Sequence, residues 1–136
     1  MRDRKLPTRI AGIAALVWMG AIFVISSLPG GSLPSGGYGG PGHFGGYLVL
    51  GALYFIALGG RQRGWQAVAL AVLLASLYGV TDEFHQSFVP GRVPDPADWI
   101  TDTAGATAGA AIAFATLVWR ARSGRPVDTD RDSGAA

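Results

Sequence analysis

Between Ile10 and Leu28 nineteen successive residues carry no ionised group, and three more apolar runs of comparable length follow in a chain of only 136 residues. Nineteen residues at about 1.5 Å rise make a helix just under 30 Å long, enough to cross a hydrocarbon core. A backbone in hydrocarbon has to satisfy its own hydrogen bonds, so such runs can only be helices. The expected fold is therefore an all-α membrane protein, a bundle of four transmembrane helices with spans near 10–28, 43–59, 65–82 and 98–119. Residues 1–120 form one domain and residues 121–136 a disordered tail.

Composition agrees. Charged residues make up 15% of the chain, against roughly a quarter in soluble domains, and they occur in bunches. The net charge is +2, but the basic residues flank apolar runs and form no stripe interleaved with aromatics, so nucleic acid is not an expected partner. The lipid bilayer is. There is no cysteine, which excludes disulfides, thiolate nucleophiles and cysteine-ligated metals. The first apolar run is longer than a signal-peptide core and lacks a small-x-small cleavage pattern, so it reads as a retained helix.

Basic residues set the orientation. Arg2, Arg4, Lys5 and Arg9 precede the first run, Arg61 and Arg63 join the second to the third, and Arg120, Arg122, Arg125 and Arg131 follow the fourth. Ten of the eleven basic residues thus fall on one side. Both termini are expected in the cytoplasm. The loop 29–42, rich in glycine and proline, is expected to be irregular and outside the membrane, with His43 at its end. Trp65 and Trp119 sit where interfacial aromatics belong.

The exception, Arg92, lies within the most polar stretch, Thr81 to Asp102, which also holds His85 and five of the nine carboxylates: Asp82, Glu83, Asp95, Asp98 and Asp102. Helical spacing puts Asp82 on one face with His85 and Gln86, and Glu83 on a neighbouring face with Gln86. Asp98 and Asp102 are one turn apart, and their face continues through Gly105 and Gly109, a Gly-x-x-x-Gly spacing that suits close packing within the bundle or between two copies of the chain. His43, Tyr47, Leu50 and Tyr54 form a stripe on the second span. Together these residues predict a polar pocket at the outer mouth of the bundle. Each has a plainer reading. Asp95 or Asp98 can cap the fourth helix, His43 can mark a helix start, and Arg92 can be a counter-charge to Asp82 or Glu83.

Phe23-Val24-Ile25-Ser26-Ser27-Leu28-Pro29, then His43-Phe44-x-x-Tyr47 with Leu50-Gly51, then Asp82-Glu83-x-x-Gln86, Pro90-x-Arg92, Asp98, Gly105 and Gly109 resemble, in order and spacing, the VanZ-like family of small bacterial membrane proteins. The resemblance implies a plasma-membrane protein linked to the cell envelope, and the family's named member contributes to resistance to the glycopeptide teicoplanin. Two positions depart from the family's pattern. Glycines stand where an acidic-lysine pair is common before the histidine, and Asp102 stands where asparagine is common. Both make the pocket more negative.

Two functional classes fit. In the first, the pocket binds or modulates a cell-envelope component, a lipid or cell-wall-precursor head group, with His85, Gln86, Arg92, Asp98, Asp102 and Tyr47 as ligand-binding residues. In the second, a membrane enzyme acts on such a head group, with Glu83 beside Asp82 as general base and His43 or His85 as the complementary acid. A divalent metal on His43, Glu83 or Asp82, and Asp98 is compatible with the residue types, although no His-Glu-x-x-His motif occurs. A third, structural reading has the polar cluster only tie the helix ends together. No cofactor is specified by the sequence.

Overall fold

The computed structural model describes residues 6–32 and 39–124. Four long helices carry the fold: α1 (Leu6–Ser26), α2 (Gly40–Ala57), α4 (Trp65–Gln86) and α5 (Pro96–Ser123), with a single-turn α3 (Gly60–Arg63) between α2 and α4. No strand occurs among the described residues.

Three of the four are long and apolar enough to cross a membrane: α1, α4 and α5. Their outward faces are those of a protein solvated by hydrocarbon. Ile13, Leu16, Val17 and Val24 on α1, Leu73 and Leu77 on α4, and Ile112 on α5 are more than half exposed, a quantity of exposed apolar surface that soluble domains avoid. This is a membrane protein. The second expected span, the shortest of the four in sequence, is α2. That helix has 18 residues, opens with Gly-Pro-Gly-His, and is not among the three that qualify as spans by length and apolarity. It is the central element, packed against α1, α4 and α5. Its Tyr47, Leu50, Gly51 and Phe55 are buried, so this face of the helix meets protein.

Small residues let α2 and α5 touch along their backbones. A Cβ on Gly105 would collide with the Phe44 carbonyl, one on Gly109 with the Leu48 carbonyl, and one on Gly51 with the backbone of Ala106. Residues 44 and 48 thus face 105 and 109, so the two helices run parallel. α4 joins them through Ala67, Ala71 and Ala75, each fully buried, and Gly79, all at four-residue spacing. α1 is attached more loosely. It is held by Trp18 Nε1 donating to the Gly46 carbonyl (2.9 Å), Tyr54 Oη donating to Met19 Sδ (2.9 Å) and Tyr78 Oη donating to the Met19 carbonyl (2.8 Å).

Helix ends differ from the sequence expectation in informative ways. α2 begins at Gly40, inside the stretch expected to be irregular, with Pro41 at its start, where its missing N–H costs nothing. Within the same stretch Gly30–Ser32 form a 3-10 turn, and residues 33–38 lie outside the described residues. α4 continues through the polar residues to Gln86, and α5 extends to Ser123, so 121–123 are helical; the tail beyond Gly124 also lies outside the described residues. The N-cap of α5 is Asp95, whose side chain accepts from the Ala97 N–H at 2.9 Å. That leaves Asp98 in the first turn, free for another partner.

Among the described residues Arg61 and Arg120 lie at one end and the carboxylates at the other. Leu6 and Thr8 of α1, Arg61 and Gln62 of α3, and Thr116 and Arg120 of α5 line one cavity of about 800 Å³. The carboxylates of residues 82–102 gather at the other end.

Candidate functional site

Four helix ends meet at the acidic end. α4 delivers Asp82, Glu83, His85 and Gln86 on its last turn because it does not stop where its apolar run stops. α5 delivers Asp98 and Asp102 on its first two turns. α2 delivers His43 and, one turn deeper, Tyr47. α1 ends at Ser26, and Ser27 follows.

At the centre His43 Nδ1 lies 2.9 Å from Asp102 Oδ1, a bond in which the ring N–H donates to the carboxylate. His43 Nε2 lies 3.7 Å from Asp98 Oδ2. Asp102 is wholly buried, and its second oxygen, Oδ2, has no partner. Glu83 Oε2 accepts from the Asp95 N–H at 2.9 Å, while Glu83 Oε1 is buried and unpartnered. One donor atom each from His43, Glu83 and Asp102 lie within 4.8 Å of one another.

A second network lies toward α1. Asp82 is 3% exposed, and its Oδ2 accepts from Ser26 Oγ (2.9 Å) and from Gln86 Nε2 (3.0 Å). Its Oδ1 is unpartnered, as is the buried hydroxyl of Tyr47. Four buried polar atoms in one small region, on Tyr47, Asp82, Glu83 and Asp102, are therefore left without a hydrogen bond, where buried polar groups are ordinarily satisfied.

The expected site residues divide accordingly. His43, Glu83, Asp98 and Asp102 come together, and Asp82, Gln86 and Tyr47 lie beside them. His85 and Arg92 make their bonds toward α1. The His85 ring stacks on Phe23 with centroids 4.4 Å apart and its Nε2 is 2.9 Å from Ser27 Oγ. Arg92 is not a counter-charge. Its Nε and Nη2 donate to the Leu28 and Ile25 carbonyls, both at 3.3 Å, covering the open carbonyls at the end of α1. Among the described residues the ion pairs are those of His43 with Asp98 and Asp102. The sequence reading missed Ser26 as a partner of Asp82. The available signal was a Ser-Ser pair closing an apolar helix, which a solvated helix end does not require.

A groove of about 410 Å³ opens beside the cluster between α1 and α2. Trp18, Ala21, Ile22 and Ile25 from α1, with Gly45, Gly46 and Val49 from α2, form its apolar length, and Ser26, His43, Asp82, Gln86 and Arg92 form its polar end.

Residues 41–119 match the model of the VanZ/LLP1 family, more than half of the chain. The chain belongs to this family. The matched segment includes α4 and nearly all of α2 and α5, and with them His43, Glu83, Asp98 and Asp102. No curated protein and no solved structure matches the chain.

Proposed function

We propose that this VanZ-family protein sits in the bacterial plasma membrane with four spans and both termini in the cytoplasm, and that its outer end binds the head group of a cell-envelope amphiphile. The observation that carries this reading is the two-part lining of the groove between α1 and α2. Its apolar length accepts a hydrocarbon chain, and its polar end, closed by Ser26, His43, Asp82, Gln86 and Arg92, accepts a head group. The segregation of Arg61 and Arg120 to the far end from the carboxylates supports the orientation. Binding such a component connects the fold to the envelope role that the family resemblance implies, including a contribution to teicoplanin resistance.

The test is to fill the groove without disturbing the bundle. A Cβ at Gly46 would have Ile22 Cγ1, 4.0 Å away, as its nearest contact, so Gly46→Phe places a ring in the groove and not in a backbone. Mass spectrometry of lipids retained through gentle detergent purification should find an envelope lipid on the wild type and at least about tenfold less on the variant, the effect of losing about 1.4 kcal/mol of binding. In a sensitive host the wild type should raise teicoplanin tolerance and the variant should not, at equal membrane abundance. Identical lipid retention by both proteins would remove the groove from the proposal.

A further inference from the structure

The acidic end has a charge imbalance that its own residues do not resolve. Asp82, Glu83, Asp98 and Asp102 converge there, and His43 is the one cationic partner that the ion pairs supply. Arg92, the basic residue nearest in sequence, is turned to the carbonyls of α1. An isolated carboxylate in so dry a place is costly, and two of the uncompensated oxygens, Asp102 Oδ2 and Glu83 Oε1, are buried with nothing to bond. An anionic head group approaching this end would be repelled.

We propose that His43, Glu83 and Asp102 hold a divalent cation of the zinc or manganese type. One imidazole and two carboxylates suit those ions, and three protein donors leave a coordination position open. Donors about 2.1 Å from a tetrahedral zinc stand about 3.4 Å from one another. The three donors already lie within 4.8 Å, so small side-chain rotations close the set. Asp102 is fixed in place by its burial, and Glu83 is oriented by the Asp95 N–H on its other oxygen, the type of outer support that metal ligands usually have. The cation neutralises the carboxylates and offers its open position to an anionic oxygen, such as a phosphate, of the amphiphile in the adjoining groove; this last step rests on the function proposed above.

The full chain, purified in detergent and stripped with chelator, is titrated with Zn2+, Mn2+ and Ca2+ alone, by calorimetry and by metal analysis after desalting. One equivalent of Zn2+ should bind, Mn2+ more weakly and Ca2+ weakest, and saturating Zn2+ should raise the melting temperature. Glu83→Gln, Asp102→Asn and His43→Gln should each weaken Zn2+ by at least about tenfold, and His85→Gln, the control at the other histidine, should bind as the wild type does. Wild type that binds no Zn2+ at about 1 mM, far above any structural-site constant, or loss of binding in His85→Gln with retention in His43→Gln, overturns the site. The wild-type titration and melting shift decide the matter even where a variant fails to fold. Zn2+ binding without lipid retention would leave the cation site standing and remove the groove reading; lipid retention without Zn2+ binding would do the reverse.

Discussion

The seam between α2 and α5 and the flank where α1 meets α2 are built from opposite materials. The seam is backbone against backbone. Gly105, Gly109 and Gly51 leave no room for even a methyl group, and α4 closes on it with a stripe of fully buried alanines. The flank has a 410 Å³ groove, one tryptophan and one tyrosine hydrogen bond, a further tyrosine bond from α4 beside it, and an α1 whose large apolar side chains mostly face outward. In a bilayer there is little hydrophobic gain from bringing helices together, so packing and hydrogen bonds hold them. The difference teaches that the seam holds the His43, Asp98 and Asp102 geometry fixed, while the flank has slack that a ligand can use.

The comparison breaks first at Gly109. Gly109→Leu forces a branched side chain into the Leu48 carbonyl, and overpacking of this kind costs about 1–3 kcal/mol or more. We expect the variant to lose its melting transition or to melt well below wild type in detergent. Gly46→Phe, on the flank, should melt close to wild type. Equal melting of all three proteins would mean that the seam is not what sets the bundle.

Much of this architecture is legible in the residues. The apolar runs give the helices, and the Asp98, Asp102, Gly105, Gly109 face identifies the side of α5 that packs inward, because glycine inside a membrane helix costs propensity unless a neighbour needs the space. The stripe His43, Tyr47, Leu50, Tyr54 likewise gives the inward side of α2. Three things escape such reading. Helical spacing already puts Asp82, His85 and Gln86 on a continuation of α4, but nothing in the glycine-rich loop marks Gly40 as the start of α2. A cap goes to whichever residue has the right backbone geometry, and Asp95, not Asp98, has it. The partner of a long side chain is decided by tertiary contacts; Arg92 has five carboxylates nearby in sequence and bonds to two carbonyls some sixty residues away. The Ala67, Ala71, Ala75, Gly79 stripe could have been read and shows which face of α4 carries Asp82 into the bundle.

A middle-sized effect is expected at Ser26. Its hydroxyl is one of two donors to Asp82 Oδ2, in a buried site, and a hydrogen bond to a charged group contributes about 1.5–3 kcal/mol. Ser26→Ala should therefore lower the melting temperature by several degrees and free the end of α1. Ser27→Ala removes a contact at an exposed position and should do less. If the two variants melt alike, the Ser26–Asp82 bond does not anchor the flank.

The smallest effect sharpens the picture most. Arg92→Gln removes two long, partly exposed bonds to the Leu28 and Ile25 carbonyls, together about 1 kcal/mol or less, as for other favourable charges at a helix C-terminus. Its melting temperature should barely move, because the seam is untouched. Amide exchange at Ile25 to Leu28 should nevertheless quicken, because Arg92 covers that helix end and only the side-chain contacts of Ser26, Ser27 and Phe23 then tie it to α4. An Arg92→Gln protein that unfolds early would instead make Arg92 part of the acidic cluster's charge balance, and would weaken the case that a cation from solution is needed there.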